Sequence, residues 1–262
     1  MSHPTWWPQA AARLLGAKPA LLALDFDGTL APLVDNPDNA RMLPTAQAAL
    51  SVLAQVPTIH LALVSGRPAH DLVKLAQPPS QTLIAGSHGA ELGQVVGGRL
   101  ELQPQPLSEE QRGRLDGFDQ GLTALVQAHG SPPGAWVEHK PVAHVLHTRL
   151  VDNAAVASTL TDAAVTFGQG AGAHVLNGKD VVELAVVPAG KAGALQYLRE
   201  QVGAAVVGFA GDDVTDELAL RTLEPPDVAI RLGQGPTAAE FKVDGPEQIC
   251  AFLAYLTEQL MS

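Results

Sequence analysis

Short apolar segments alternate with amphipathic ones along much of the chain, an alternation typical of an α/β sheet protein. The apolar runs bounded by turn residues are strand candidates at 20–25, 59–64, 82–86, 205–210 and 227–230. Segments with helical spacing lie at about 44–55, 68–76, 191–202, 214–222 and 246–260. A run as apolar as Leu21–Leu24 favours a buried parallel strand. The predicted fold class is therefore α/β with a parallel sheet.

The middle of the chain has a different organisation. A Gly-Gly turn at 97–98 predicts a hairpin, and the proline-containing segment 103–106 is the expected crossing point after it. Beyond the crossing, a helix–strand–strand pattern occurs twice, at 108–129, 135–140, 143–148, 152–166, 173–176 and 181–186. We therefore predict an outer domain formed by 1–103 and 188–262, and a smaller α/β domain, 104–187, inserted into it.

Composition narrows the class of protein. The 262 residues are 46% hydrophobic, and no apolar run is long enough to span a bilayer. The N-terminal residues lack the basic and apolar regions of a signal peptide, and a single cysteine, Cys250, suits the reducing cytoplasm. We expect Cys250 to be a small buried residue of the last helix. The net charge of −11 argues against nucleic acid or an anionic membrane as a partner.

Asp25 and Asp27 form the first candidate site. They follow the apolar run Leu21–Leu24 and precede Gly28, which favours a turn. Ligands of open α/β sheets bind at the carboxyl ends of strands. Two neighbouring carboxylates repel each other there unless a cation joins them, so the pair indicates a divalent metal with oxygen ligands, most simply Mg²⁺. The alternative is a solvated turn, in which Asp and Gly are ordinary residues.

A second acidic cluster, 211–217, follows another apolar strand. Some of its acidic residues suit the first turn of the next helix, where they cap the helix and complement its dipole. Asp212 and Asp213 come too early for that explanation, and they lie at a strand end as Asp25 and Asp27 do. If both strands belong to one parallel sheet, these carboxylates converge on one metal ion.

Three further segments suit a bound phosphate. Ser65 and Arg67 lie between the second strand and a helix, where free N–H groups and the helix dipole attract anions. Lys191 opens a helix, where a cation is unfavourable, so we expect it to neutralise charge during phosphoryl transfer. His88 follows the third strand and could donate at the edge of the site. The alternatives are a helix cap for Ser65, an exposed side chain for Lys191 and a structural turn residue for His88.

Polar residues also occur at strand spacing in the predicted inserted domain. Glu138 and Lys140 are two residues apart, so they share one face of a strand. The further members of this set are His147, Arg149, Lys179 and Glu183. Such a surface would hydrogen-bond a polyol, and the alternative is a solvated sheet face.

Together these motifs resemble those of the haloacid dehalogenase (HAD) superfamily of aspartate-nucleophile phosphatases, and within it the trehalose-6-phosphate phosphatases. The core motifs that carry the resemblance are 25–32, 65–67, Lys191 and 211–217. The last of them is close to diagnostic of this branch, whereas the first is shared by the whole superfamily. The resemblance implies a Rossmann-like HAD core with an inserted α/β cap domain of the C2 type. One departure is Ala192, where the family usually has glycine.

The resemblance also implies a role for each motif residue. Asp25 would be the nucleophile that forms an aspartyl-phosphate, and Asp27 the acid–base residue. Mg²⁺ would be bound by Asp25, the backbone carbonyl of Asp27 and Asp212, while Ser65 and Lys191 would hold the phosphoryl group. Asp213, Thr29 and Asp216 would orient these groups, Asp213 by contacting Lys191 or metal-bound water. The residues implied to bind the substrate are Arg67, His88, Glu138, Lys140, His147, Arg149, Lys179 and Glu183.

The implied activity is hydrolysis of trehalose 6-phosphate to trehalose and phosphate, in trehalose biosynthesis. The implied protein is a cytoplasmic monomer that acts on a small sugar phosphate and could pair functionally with a trehalose-phosphate synthase. One alternative keeps the chemistry but changes the substrate, for example to sucrose phosphate or mannosyl-phosphoglycerate. Another is a non-catalytic sugar-phosphate-binding partner of a synthase. The intact core motifs argue against the latter, because a binding module needs no nucleophile.

Overall fold

The computed structural model describes residues 3–103, 107–140, 142–178, 180–186 and 190–260. The chain forms two compact units. The first combines Met1–Pro104 with Gly190–Ser262, and the second is Gln105–Ala189. Each unit contains a β-sheet and α-helices, so the predicted α/β class is confirmed.

The regular elements are numbered in chain order. Within the described residues the strands are β1 (Ala20–Leu24), β2 (Ile59–Val64), β3 (Leu83–Gly86), β4 (Glu91–Val96), β5 (Arg99–Leu102), β6 (Trp136–His139), β7 (Ala143–His147), β8 (His174–Gly178), β9 (Val181–Ala185), β10 (Val206–Gly211), β11 (Val228–Leu232) and β12 (Phe241–Val243). The α-helices are α1 (Trp7–Gly16), α2 (Pro44–Leu53), α3 (Ala69–Ala76), α4 (Glu109–Ala128), α5 (Ala154–Gly170), α6 (Gly190–Val202), α7 (Val214–Leu220) and α8 (Pro246–Leu260). None of these helices is both long enough and apolar enough to cross a membrane.

The first unit is built on an eight-stranded sheet of order β12-β11-β10-β1-β2-β3-β4-β5. Its strands are parallel from β12 to β3, and the β4–β5 hairpin continues the sheet in antiparallel pairing. The central strand β1 is buried on both faces: Leu22 and Leu24 join one apolar cluster, whereas Leu21 and Ala23 join another. Helices α1, α2, α3 and α8 pack in the first cluster, and α6 and α7 in the second. A parallel sheet covered on both faces explains why β1 is a continuous apolar run.

The second unit has a four-stranded antiparallel sheet of order β6-β7-β9-β8. Helices α4 and α5 cover one face of it, where Phe118 and Leu160 pack with Leu146 and Leu184. The alternate residues of the strands form the opposite face. The segments 104–106 and 187–189, together with Pro141 and Lys179, lie outside the described residues.

Candidate active site

Two acidic residues of the first unit meet at one edge of its sheet. Strands β1 and β10 pair in parallel with Leu24 opposite Ala210, and the Asp25 amide donates to the Ala210 carbonyl at 3.0 Å. Strand β10 ends at Gly211, so Asp212 is the next residue. The carboxyl ends of two neighbouring central strands therefore bring Asp25 and Asp212 together.

Asp25 lies inside the protein, with only 3% of its surface exposed. Its Oδ1 accepts a hydrogen bond from Lys191 Nζ at 2.8 Å, and its Oδ2 accepts one from Thr29 Oγ1 at 3.2 Å. Thr29 is itself buried. A solvated turn, the alternative left open by the sequence, does not describe Asp25. The two hydrogen bonds fix the orientation of its carboxylate.

Lys191 is as deeply buried as Asp25, with 2% of its surface exposed, so the exposed-lysine alternative is wrong. It is the second residue of α6, and its Nζ also donates to Asp216 Oδ1 at 2.7 Å. The ammonium group thus joins an acidic residue that follows β1 to one on α7. The neighbouring Ala192 packs against the apolar cluster beside α6, so the alanine is accommodated while Lys191 contacts both carboxylates.

Asp216 and Asp213 exchange hydrogen bonds at the start of α7. The Asp213 side chain is the N-cap: its Oδ1 accepts from the Asp216 amide at 2.7 Å and from Thr215 Oγ1 at 2.8 Å. In return, Asp216 Oδ2 accepts from the amides of Asp212 and Asp213 at 3.1 and 3.0 Å. Lys191 donates its hydrogen bonds to Asp216 and Asp25, whereas Asp213 was expected to orient Lys191 or metal-bound water. In the described residues, Asp213 acts on Lys191 by holding Asp216 in place.

Asp25, Asp212 and Asp216 form a compact carboxylate cluster. One oxygen of each lies within 4.8 Å of an oxygen of the others. Two glycines leave room for it: a Cβ on Gly28 would collide with the Asp212 carboxylate, and one on Gly211 with the Asp216 side chain. A cleft of about 450 Å³, lined in part by Gly28 and Asp212, lies beside the cluster.

Burial and charge shift the pKa values of this cluster. Burial, against the opposing charge of Lys191, raises the pKa of Asp25 to about 6. Burial and the charges of Asp216 and Asp213 raise the pKa of Asp212 to about 6. Burial and the charge of Asp25 raise the pKa of Asp216 to about 7, although Lys191 lowers it. Burial lowers the pKa of Lys191, but the two carboxylates that it contacts outweigh this effect and raise it. Three carboxylates, of which Asp25 and Asp216 are buried and Asp212 is half-buried, lie beside one ammonium and form a site that favours a further cation.

Asp27 lies in the same turn but has a different partner. Its carboxylate accepts two hydrogen bonds from Arg67, from Nε at 2.6 Å and from Nη2 at 2.7 Å. Arg67 Nη2 also donates to the Pro37 carbonyl at 2.9 Å. A bidentate guanidinium–carboxylate pair fixes both side chains. The side chain of Asp27 therefore points to Arg67, outside the carboxylate cluster.

The segment after β2 and the turn after β3 pack against each other. Ser65 is buried, its Oγ accepts from the Arg67 amide at 3.2 Å, and its carbonyl accepts from the His88 amide at 2.9 Å. A Cβ on Gly66 would lie 2.7 Å from the His88 ring, so the imidazole covers this glycine. His88 adopts a left-handed conformation with φ of 56°. The structure therefore brings Ser65, Arg67 and His88 together in one loop cluster.

The polar residues of the second unit lie on the sheet face opposite its helices. His147 Nε2 and Glu138 Oε2 are 2.8 Å apart, and Lys140 Nζ donates to Glu183 Oε2 at 2.7 Å. Arg149 is exposed beyond the end of β7. Lys179 lies outside the described residues. Within this unit the structure thus joins four of the six polar residues into two pairs.

Sequence reasoning did not single out two residues beside these groups. Arg231, near the end of β11, donates to the Asp213 carbonyl at 2.5 Å, and its charge lowers the pKa of Asp212 against the larger effect of burial. Trp136, at the start of β6, stacks on His147 with ring centroids 4.4 Å apart. The signal for Arg231 was a charged residue in an otherwise apolar strand, and the signal for Trp136 was its position two residues before Glu138.

Comparison with known proteins identifies related sequences. A family model described as trehalose-phosphatase matches residues 23–247. A trehalose-phosphate phosphatase of Mycobacterium marinum is 34% identical over 257 residues, which are 93% of this chain and 62% of that protein. A protein of Mycobacterium tuberculosis described as an uncharacterized glycosyl hydrolase is 33% identical over 264 residues, 95% of this chain and 19% of that protein. The chain thus spans less than two thirds of the length of either relative.

Solved structures agree on the fold. Trehalose-6-phosphate phosphatase of Aspergillus fumigatus superposes with a TM-score of 0.76 at 20% sequence identity, over 97% of each chain. The family model covers the chain from the last two residues of β1 to the start of α8, and with it every core motif named from the sequence. The chain therefore belongs to the trehalose-phosphatase family of the HAD superfamily, as its motifs predicted.

Proposed function

We propose that the protein is a Mg²⁺-dependent phosphatase that hydrolyses trehalose 6-phosphate to trehalose and phosphate through an aspartyl-phosphate on Asp25. The observation that carries the proposal is the buried contact of Asp25 with Lys191, 2.8 Å long, at the carboxyl end of β1 in a chain of the trehalose-phosphatase family. A carboxylate oriented by an ammonium and a hydroxyl is suited to nucleophilic attack. The cytoplasmic location and a functional pairing with a synthase stay predictions.

The donor atoms fit a magnesium ion. The three carboxylates of the cluster offer oxygen donors, the type of ligand that Mg²⁺ prefers. Asp216 already accepts from Lys191 and from two amides, whereas the Asp212 carboxylate accepts no hydrogen bond from a described residue. We therefore assign Asp25, Asp212 and the Asp27 carbonyl as the ligands, with Asp216 holding Lys191. When bound, the ion would neutralise charge on the phosphoryl oxygens.

The reaction would proceed in two displacements at phosphorus. First, an Asp25 oxygen forms a bond to phosphorus while the bond from phosphorus to the sugar oxygen breaks, and Asp27 protonates that oxygen. Then water attacks the aspartyl-phosphate, Asp27 takes a proton from the water, and phosphate leaves with Asp25 restored. Lys191 and Ser65 would hold the phosphoryl group, and the Lys191 charge would stabilise its oxygens in the transition state.

Arg67 has a narrower role in this mechanism than substrate binding. Its two hydrogen bonds to Asp27 and the third to the Pro37 carbonyl fix the plane of the guanidinium group. We therefore propose that Arg67 positions the acid–base residue. His88 lies beside Gly66 in the same loop cluster and could donate to the phosphoryl group or the sugar.

Sugar contacts are assigned to the second unit. The carboxylates of Glu138 and Glu183, each next to a basic partner, are acceptors for sugar hydroxyls, and Lys140 and His147 are donors. Arg149 and Lys179 belong to the same proposal on sequence grounds. A neutral disaccharide matches this set because hydroxyl groups both donate and accept.

The proposal is tested by phosphate release from a panel of sugar phosphates, with and without Mg²⁺. We expect trehalose 6-phosphate to be hydrolysed fastest and chelation to abolish turnover. Asp25→Asn should reduce kcat by about 10³-fold or more while thermal unfolding stays near that of the wild type. Preference for sucrose phosphate or mannosyl-phosphoglycerate would overturn the substrate assignment. Binding of sugar phosphate without release from any substrate would overturn the catalytic one.

A further inference from the structure

The face of the second unit's sheet that helices do not cover carries both charged and apolar side chains. We call this the open face and define it by Trp136, Glu138, His147, Leu176 and Glu183. Residues that pair directly across neighbouring strands lie on the same face of a sheet. Glu138 pairs with Val145, Val145 with Glu183, and Glu183 with Leu176. Trp136, two residues before Glu138 on the same strand, pairs with His147. The alternate residues, such as Leu146 and Leu184, pack under α4 and α5.

Trp136 is the largest apolar side chain of the open face. Its ring lies parallel to that of His147, at an interplanar angle of 7° and a centroid distance of 4.4 Å. His147 in turn is fixed by Glu138 at 2.8 Å. One face of the indole is therefore covered by a held imidazole, while 37% of the residue surface stays exposed. The side chain is pre-ordered and has apolar surface to offer a ligand.

The other two tryptophans show what a structural role looks like in this chain. Trp6 stacks on Phe241 at 4.6 Å, and Trp7 packs against Phe252 and Tyr255 at 5.6 and 5.4 Å. Both belong to or pack against the main core of the first unit. Among the ring contacts of described residues, Trp136 has only His147. An exposed, stacked indole beside a carboxylate is typical of a surface that binds a ligand.

We propose that Trp136 is a specificity-determining residue that stacks on one pyranose ring of the substrate while Glu138 accepts hydroxyl groups from the rim of the same ring. A pyranose has a face of C–H groups and a rim of hydroxyls, and an aromatic platform beside a carboxylate matches both. The inference rests on the proposed function, because it names the residue through which that site selects a ring-closed sugar. Stacking needs neither the phosphate nor the metal, so trehalose alone should bind.

Binding is measured first, by tryptophan fluorescence of the full chain without Mg²⁺. The protein contains three tryptophans, so Trp136→Phe removes the indole of the open face and leaves the other two. We expect trehalose to change the emission of the wild type saturably, and the change to vanish in Trp136→Phe. Mannitol, an acyclic polyol with no ring face, should leave the emission unchanged. An equal change with mannitol would overturn the proposal, and so would the absence of any change with the sugar of the phosphate ester that the protein hydrolyses.

Kinetics give the second readout. Trp136→Ala should raise KM for trehalose 6-phosphate about tenfold with kcat nearly unchanged. Trp136→Phe should keep most of the wild-type affinity, because phenylalanine still offers an aromatic ring to the sugar. Hydrolysis of a small aryl phosphate should not change. The matched control is Tyr197→Ala, which removes an exposed aromatic residue of α6 in the first unit and should leave KM unchanged.

The two hypotheses fail in different ways. If trehalose 6-phosphate is hydrolysed but Trp136→Ala has the wild-type KM, the stacking role is wrong and the proposed function stands. If the protein hydrolyses another sugar phosphate and its sugar changes the Trp136 emission, the substrate assignment is wrong and the stacking role stands. A fall of kcat on both sugar and aryl phosphates in Trp136→Ala would show a general structural role and overturn the inference.

Discussion

Gly28 is the single residue that most tightly links the backbone to the acidic cluster. Its φ of +75° is left-handed, and a Cβ there would collide with the carboxylate of Asp212. The residue therefore meets two separate requirements. It allows the turn directly after β1, and it leaves room for Asp212, which follows the neighbouring strand β10. These two requirements differ in their consequences for stability and for activity.

Gly28→Ala should reduce activity far more than stability. The strained backbone costs about 1–2 kcal/mol, whereas displacement of Asp212 should lower kcat at least about 10²-fold because a misplaced ligand disrupts the reacting geometry. The matched control is Gly98→Ala in the β4–β5 turn, which has φ of +79° and no atom within 4 Å of the added Cβ. Phosphate release and thermal unfolding of both variants check this. Equal activity in the two would mean that Asp212 has no role.

Arg67→Lys should slow the steps that depend on leaving-group protonation. Lysine cannot make the bidentate contact with Asp27, so the acid–base residue loses its fixed orientation. We expect kcat for trehalose 6-phosphate to fall at least about tenfold. The first turnover of dinitrophenyl phosphate should be nearly unchanged, because its leaving group departs without a proton.

The control for this prediction is Arg41→Lys, since the hydrogen bonds of Arg41 within the described part of the chain go to the nearby carbonyls of Asp38 and Ala40. It should leave both substrates at wild-type rates. If Arg67→Lys slows the two substrates equally, Arg67 contacts the phosphoryl group instead of positioning Asp27. Burst kinetics separate the first displacement from the hydrolytic step that follows it.

The sequence predicted residues of the candidate site without predicting the contacts among them. Asp25, Lys191 and Asp212 belong to separate motifs, and parallel strand pairing is a general enough rule to bring two of them together. The Arg67–Asp27 pair joins residues 40 positions apart, and no local pattern encodes which carboxylate a guanidinium group meets. Asp213 and Asp216 lie on the same helical turn, so their spacing in the sequence does not tell which of them contacts Lys191. The capping geometry, in which Asp213 is the N-cap, leaves Asp216 to accept from Lys191.

Among the helices, α7 and α4 begin with the same N-terminal motif. Both have a capping box: Asp213 with Asp216 in α7, and Ser108 with Gln111 in α4. The two differ in what the third residue does besides capping, because Asp216 also holds Lys191. One type of local interaction thus stabilises both helices but takes part in the site in only one of them.

Asp213→Ala and Ser108→Ala should each lower the free energy of unfolding by about 1 kcal/mol, the usual cost of a lost N-cap. Only Asp213→Ala should lower kcat, by about tenfold or more, because Asp216 then loses its hydrogen bond to Asp213 and no longer holds Lys191 in position. Asp213→Asn keeps a capping oxygen and should retain most of the activity. Denaturant unfolding and phosphate release measure both effects. If Asp213→Asn is as inactive as Asp213→Ala, the negative charge of Asp213 matters and the cap does not.

Element prediction succeeded where apolar runs were long and failed at α1 and β12. Helix α1 buries Trp7, Ala10, Ala11 and Leu14, a helical spacing in a segment rich in alanine, where the contrast between apolar and polar positions is weak. Strand β12 has only three residues. Its strand character comes from pairing with β11 at the edge of the sheet, a long-range contact that a three-residue pattern cannot reveal.

For the whole molecule, the central physical feature is that the two units have separate cores. The apolar cluster of the second unit contains Phe118 and Leu122, and it shares no residue with the two clusters of the first. Cys250 on α8 lies in the first unit's main cluster with 1% of its surface exposed, as the sequence predicted for a small buried residue. Burial, with a smaller effect of Glu247, raises the pKa of its thiol to about 11.

The Cys250 thiol should therefore report opening of the first unit alone. Only the thiolate reacts with a disulfide reagent, so at pH 8 the native protein should be labelled slowly. Leu253→Ala removes a buried side chain of the same cluster, should cost about 2–5 kcal/mol, and should accelerate labelling at least about 20-fold if labelling follows the opening equilibrium. Leu122→Ala should destabilise the second unit by a similar amount, measured by calorimetry, and leave the labelling rate unchanged. Equal acceleration in both variants would show that the two cores open as one cooperative structure.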